Sequence, residues 1–234
     1  RTNPKSEIIA VAKNLGIDIK FSHVVVAANG YKKVNSAQIA QISPDKKDLG
    51  KIEKINCDCI CVSGFWTPTI HLASQSGNKT KFDEKIDAFV PGKSKQNETT
   101  VGSANGIFNL EETINTSFEK GYELSKKITN KDNKISIPQV SEKNYTSHDK
   151  FWCVPLPDKK NYKRFLDFQN DVTVSDIELA LREGYRSIEH VKRYTTLGMA
   201  TDQGKTSNLN GLQLVSDVEN KIVPSVGHTT FRPP

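Results

Sequence analysis

The chain has 234 residues, 35% of them apolar. That share supports a core, but no apolar run nears the roughly 18 residues that cross a membrane as a helix. With 33 basic and 27 acidic residues the net charge is +6. The lysines are scattered among Asn, Ser and Asp instead of clustering with aromatic residues, so they read as a solvated surface and not as a nucleic-acid-binding patch.

In chain order, residues 6–15 have helical periodicity and stop at Gly16, the residue type that closes helices in a left-handed conformation. Residues 24–28 form an apolar run closed by Asn29-Gly30, which predicts a buried strand. Residues 34–42 alternate and predict a second strand. Residues 51–56 turn polar. Residues 57–62 are apolar enough to predict a strand buried on both faces, as in a parallel sheet. A short helix is predicted at 69–74, strand then turn at 89–92, strand then small-residue turn at 101–106, and a long amphipathic helix at 109–127. Strand, small-residue turn and helix in succession follow the logic of an α/β nucleotide-binding fold.

Residues 129–163 change character and read as a linker with one apolar anchor strand, from Phe151 to Pro157. Prolines at 155 and 157 argue against a central sheet position beyond that point. Residues 165–215 predict a compact helical unit. Thr173 caps its first helix, with Asp176 completing a partial capping box, and Gly184 ends it. Ser187 caps the second helix, Gly198 and Gly204 bracket a tight loop, and Thr206 or Ser207 caps the third. The tail from 221 to 234 reads as loop.

The cysteines are Cys57, Cys59, Cys61 and Cys153. The first three alternate, so on a strand their thiols share one face. No C-x2-C pair and no second ligand pair accompanies them, and no histidine pairs with a second His or Cys at ligand spacing. No metal site is expected, and the cysteines read as small buried residues. With no disulfide framework and no basic-then-apolar leader, a reducing, cytoplasmic setting is expected.

Several stretches resemble one family. Phe168-Gln-Asn-Asp-Val-Thr173, the run Arg182 to His190 and the run Lys192 to Asn208 resemble the alpha subunit of heterotetrameric sarcosine oxidases. So do Cys61-Val-Ser-Gly-Phe-Trp-Thr-Pro68 with His71, Ser74-Gln-Ser-Gly77, Val101-Gly-Ser-Ala-Asn-Gly106 and the terminal Phe231-Arg-Pro-Pro234, in the same order. The stretch 192–208 is specific, whereas the 101–106 turn alone is a weak signal. The G-x-G-x-x-G phosphate fingerprint with which the family's dinucleotide-binding domain opens is not in this sequence.

The resemblance implies an α/β fold: the second half of a dinucleotide-binding (FAD/NAD-type) domain at 1–128, the linker at 129–163, and a small helical FMN-interface domain at 164–215. Residues 216–234 would lead toward a folate-binding, aminomethyltransferase-like domain. It implies an oxidoreductase acting on CH–NH donors, active as part of a complex that oxidises sarcosine to glycine, reduces O2 to H2O2 and passes the one-carbon unit to tetrahydrofolate. The partners would be the beta, gamma and delta subunits and further segments of the alpha subunit, with no nucleic acid and no membrane.

For cofactors it implies NAD along Ala104, Asn105, Gly106, Leu110 and Glu112, FMN shared with a beta subunit, and FAD within that beta subunit. Lys192, Arg193, Thr195, Thr196 and Lys205 have the chemistry to hold the FMN phosphate, as cations and hydroxyl donors. Thr201 and Gln203 would reach its ring or ribityl chain. No residue reads as a catalytic base for the amine, since the flavin supplies the chemistry and the protein its setting. The alternative readings are close helix–sheet packing at 101–112 and solvated charges closing a helix at 192–193.

The helical unit also resembles the small [2Fe-2S]-binding module of bacterioferritin-associated ferredoxin and some opine oxidases. Its cysteine positions fall near Asp167, Gln169, Asp202 and Ser207. Clusters need thiolate ligands, so no cluster is expected. Two further readings of the whole stay open: the alpha subunit of an opine or amino-acid dehydrogenase, and a non-catalytic scaffold with a vestigial nucleotide site, which Glu112 favours because it would repel a pyrophosphate.

Overall fold

The computed structural model describes residues 7–64, 66–132, 136–140, 151–157 and 162–227. The chain divides into two compact units, Arg1–Ser63 with Phe151–Phe165 and Thr173–Ser175, and Gly64–Lys150 with Leu166–Val172 and Asp176–Pro234.

In the first unit, helix α1 (Glu7–Asn14) stops at Gly16, which adopts φ +78°. The Gly16 and Ile17 N–H groups bond back to the Lys13 and Ala12 carbonyls, closing the helix end. Three strands follow as an antiparallel meander: β1 (His23–Gly30), β2 (Val34–Ile42) and β3 (Leu49–Asn56), in the order β1-β2-β3. Gly30 must be glycine, because a Cβ there would overlap the Lys33 carbonyl across the β1–β2 turn. Asp45 organises the β2–β3 turn by accepting from Ser43 Oγ at 2.5 Å and the Lys47 N–H at 3.3 Å.

The central strand β2 carries buried residues on both faces, Ala37 and Ile39 on one and Ser36 and Ala40 on the other. β1 buries Val26 alone, so the predicted buried strand at 24–28 is instead an edge strand with one covered side chain. The polar stretch at 51–56 belongs to β3. Its lysines and glutamate face water from an outer strand, which hides the period-two signal.

The expected strand at 57–62 does not form. Past the Cys57 N–H, which donates to the Asn35 carbonyl of β2 at 3.2 Å, residues 57–62 join no strand among the described residues, and Val62, Cys59 and Cys61 are exposed. The parallel sheet and the buried cysteines read from that run are therefore corrected. An apolar run specifies burial only where a neighbouring strand exists to take its hydrogen bonds. Cys59 and Cys61 instead place their sulfurs 3.9 Å apart, and this contact raises the Cys59 thiol above its ordinary value. Phe151–Pro157 likewise forms no strand; the Arg164 guanidinium anchors it by donating to Cys153 Sγ at 2.9 Å and the Val154 carbonyl at 3.3 Å.

The second unit opens with α2 (His71–Gln75) and a hairpin of β4 (Lys81–Asp83) and β5 (Ala88–Val90), whose Phe82 and Phe89 rings meet edge-on at 5.3 Å. Val101 is extended but belongs to no strand, and Gly102–Asn105 is a single 3₁₀ turn, so the expected strand there is also corrected. Helix α3 (Leu110–Thr129) starts where the Asn109 side chain accepts the Glu112 N–H at 2.8 Å.

A two-stranded ribbon, β6 (Phe165–Asp167) and β7 (Val172–Thr173), leads into α4 (Val174–Arg182), α5 (Ile188–Thr195), α6 (Asn208–Glu219) and the short α7 (Val223–Val226). The part of the tail at 223–226 is thus helical, and the Phe231-Arg-Pro-Pro end lies outside the described residues. Ile177, Ala180 and Leu181 of α4, Ile188 and Val191 of α5, and Leu212 and Val215 of α6 recur at helical spacing and form the core with Ile70, Phe89 and Leu197.

Candidate functional site

The loop between α5 and α6 is held from inside by one carboxylate. Asp167, at the end of β6, is 3% exposed. Its Oδ2 accepts from the Gly198 N–H at 2.8 Å and Ser207 Oγ at 3.5 Å, and its Oδ1 from the Gln169 and Asn170 N–H groups at 2.9 and 3.2 Å. Asp202 ties the far side of the loop, accepting from the Gly204 N–H at 3.0 Å and Thr206 Oγ1 at 2.8 Å. Gln203 and Gly204 are consecutive left-handed residues, with φ of +51° and +75°, a conformation that persists only when its surroundings enforce it.

Beside this loop lies a recess with a cavity volume of about 90 Å³, smaller than the usual small-molecule site. Pro68, Ile70, Phe89, Leu209 and Leu212 form its apolar part, and Thr67, Thr69, His71, Gln203, Lys205 and Asn208 its polar part. Burial, and then the Lys205 ammonium, hold His71 below the ordinary imidazole value, so it is uncharged at neutral pH. Asn208 is 5% exposed. Its Nδ2 donates to the Gln203 carbonyl at 3.3 Å, while its Oδ1 has no hydrogen-bond partner. A buried acceptor left without a donor costs about 1–3 kcal/mol.

The structure divides the flavin residues expected from the sequence. Gln203 and Lys205 line the recess. Thr195 lines a different depression with Asp171, Asp176 and Tyr194, where two carboxylates disfavour a phosphate. Lys192, Arg193 and Thr196 lie at the C-terminal end of α5, and neither depression includes them. Thr201 Oγ1 donates to Gln169 Oε1 at 2.8 Å.

Ala104, Asn105 and Gly106 lie in and just after the 3₁₀ turn, and Leu110 and Glu112 in the first turn of α3. A Cβ on Gly106 would meet Ile86 at 2.8 Å and Val90 at 2.9 Å, so glycine serves close packing there. Glu111 and Glu112 both stand in that first turn, and Asn109 already takes the Glu112 N–H. An acidic first turn disfavours a dinucleotide pyrophosphate, which seeks helix N–H groups free of added negative charge.

Of the four positions aligned with cluster thiolates, Asp167, Ser207 and, through its backbone N–H, Gln169 meet in the hydrogen-bond network above, whereas Asp202 bonds to Gly204 and Thr206. Among the described residues no three His, Cys, Asp or Glu side chains gather to hold a metal, and no helix is long and apolar enough to cross a membrane. Reading the sequence missed His71 and Asn208 as recess residues. Both lie inside the stretches that carried the family resemblance, which was the one signal available.

Residues 161–234 match the family model described as the sarcosine oxidase A3 domain, which places the C-terminal third in that class. The chain as a whole belongs to the sarcosine oxidase alpha-subunit family. Sarcosine oxidase subunit alpha of Rhizobium meliloti (strain 1021) is 36% identical over 186 residues, covering 79% of this chain. The subunit of the same name from Corynebacterium sp. (strain P-1) is 31% identical over 236 residues, covering 98%. The chain spans 18% and 24% of the length of these two relatives. The crystal structure of L-proline dehydrogenase from P. horikoshii superposes with a TM-score of 0.53 over 97% of this chain and 46% of that one, at 20% identity. That is a likeness of fold alone, in keeping with a mixed α/β architecture.

Proposed function

We propose that this chain is the part of a sarcosine oxidase alpha subunit that helps hold FMN against a beta subunit carrying FAD. The assembled complex oxidises sarcosine to glycine, with O2 reduced to H2O2 and the one-carbon unit passed to tetrahydrofolate. When bound, FMN supplies the electron transfer between the amine-oxidising centre and oxygen. The chain's own residues bind and orient: Lys205, Lys192 and Arg193 supply positive charge for the phosphate, Gln203, Thr196 and Thr201 supply hydrogen bonds, and the apolar wall of the recess excludes water. The observation that carries this reading is the recess, with Gln203 and Lys205 among the residues that line it.

Native mass spectrometry of the complex tests it, with the flavins released by denaturation. Beta, gamma and delta partners together with one noncovalent or tethered FMN per complex are expected; a complex holding no FMN would refute the reading. Replacing Lys192 and Arg193 together by alanine tests that pair, since unchanged FMN content removes them from the site. For residues 101–112 a second reading is favoured by the acidic first turn of α3: a scaffold segment whose nucleotide site is vestigial. Equilibrium dialysis with NAD decides it, because saturable binding lost in Gly106→Val would restore the dinucleotide site.

A further inference from the structure

Cys57, Cys59 and Cys61 follow one another at every second position, and the fold treats them differently. Cys57 is half-buried, and its N–H donates to the Asn35 carbonyl of β2 at 3.2 Å, which fixes it at the end of the sheet. Cys59 and Cys61 lie past that bond, in a stretch that joins no strand among the described residues, and both are exposed. Their sulfurs stand 3.9 Å apart. The fourth thiol, Cys153, takes a hydrogen bond from the Arg164 guanidinium at 2.9 Å. The flavin reading uses neither Cys59 nor Cys61.

A disulfide needs its sulfurs about 2.05 Å apart, so only about 2 Å remains for this pair to close. Ile60 alone separates the two residues, and no ladder hydrogen bond among the described residues holds the stretch rigid, so small torsional changes suffice. Tethering makes the joining step unimolecular, which favours it over a bond to another chain. Exposure lets a small oxidant reach either sulfur. The contact with Cys61 also holds the Cys59 thiol above its ordinary value, so its thiolate, the reactive form, grows as pH rises.

We propose that Cys59 and Cys61 form a modification site, at which a peroxide joins the two sulfurs in an intramolecular disulfide and a dithiol reductant parts them again. One thiolate attacks a peroxide oxygen, the O–O bond breaks, and that sulfur becomes a sulfenic acid while the departing oxygen takes up the thiol proton and leaves as water. The second thiol attacks the sulfenic sulfur, the S–S bond forms, the S–O bond breaks, and the second oxygen leaves as water. Two thiols and one hydrogen peroxide thus give one disulfide and two waters, the sulfurs being oxidised and the peroxide reduced.

The full chain, fully reduced, is treated with one equivalent of hydrogen peroxide. Catalase removes the excess, iodoacetamide alkylates the remaining thiols, and intact mass with peptide fragmentation locates them. The expected result is a loss of two hydrogens per chain, at a rate independent of protein concentration and rising with pH. Cys59 and Cys61 escape alkylation, Cys57 and Cys153 do not, and dithiothreitol restores both protected thiols. Cys57→Ser should behave like the parent, whereas Cys59→Ser and Cys61→Ser, shown to be folded by far-UV circular dichroism, should lose the protection of the remaining thiol of the pair. A parent whose Cys59 and Cys61 stay alkylatable, gain oxygen without joining, or bridge to Cys57 or to a second chain would overturn the inference.

Discussion

Replacing Asp167 measures how much of the helical unit hangs on one carboxylate. In Asp167→Ala the Gly198 N–H and Ser207 Oγ lose their shared acceptor, and both residues are buried. The Gln169 and Asn170 N–H groups belong to exposed residues and recover bonds to water. Only the two buried donors therefore count. The serine hydroxyl can rotate toward another partner, but the Gly198 N–H is fixed by the backbone. At about 1–3 kcal/mol per buried unsatisfied group, with the serine near the low end, the expected loss is about 2–4 kcal/mol. Asp167→Asn keeps one oxygen for the Gln169 turn but loses the charge and sets an amide NH2 against a backbone N–H, so it falls between parent and alanine.

Urea unfolding of the full chain, followed by far-UV circular dichroism, reads this as a lower midpoint at unchanged slope. Asp167→Ala combined with Ser207→Ala closes a double-mutant cycle whose coupling should exceed about 0.5 kcal/mol. An Asp167→Ala chain within about 0.5 kcal/mol of the parent would refute the claim that this side chain holds the loop.

Three further outcomes are expected. Gly198→Ala forces a side chain into a left-handed position (φ +66°) and onto the Asn208 amide, and should cost about 2 kcal/mol or more by the same unfolding assay. Asn109→Ala removes the α3 cap and should cost about 1 kcal/mol, read as lost helicity and an earlier thermal transition. Glu219 accepts from Arg186 at 2.6 Å and Lys221 at 3.1 Å, which holds its carboxyl below the ordinary glutamate value. A depressed folded-state value means that its stabilising contribution is present above the ordinary glutamate range and is lost as pH falls through the depressed value. In Arg186→Ala the Glu219 carboxyl, followed by NMR, should titrate closer to that ordinary value.

The legible parts of the fold were those whose signals are local. β2 matched its predicted bounds, 34–42, because turn residues bracket it, although its buried residues fall on both faces. The helices α3 to α6 followed from local helical patterning and, for α4, from the stop at Gly184, whereas Ser187 and Ser207 stand at the starts of α5 and α6 without making the side-chain cap bonds expected of them. Failures came where the outcome depends on a distant neighbour. Residues 57–62 are apolar enough for a covered strand, yet past the Cys57–Asn35 bond no strand among the described residues pairs with them. The site divides in the same way. Gln203 and Lys205 stood out within a stretch of specific composition, while the Thr67–His71 wall and the unsatisfied Asn208 amide emerge only from tertiary contact.

Among the described residues the three-stranded meander has two edge strands, and each is protected differently. Along β3, Lys51, Glu53 and Lys54 set charges on the outer strand, so a second copy approaching there must strip their hydration. β1 carries no lysine or carboxylate, but its pairing with β2 slips between Val25 and Ala27 and again at Asn29 and Gly30. Those irregularities bend the strand and spoil the even spacing of its outward amides, which another chain would have to match. Charge guards one rim and distortion the other, so end-to-end growth of this sheet into filaments is discouraged on both sides.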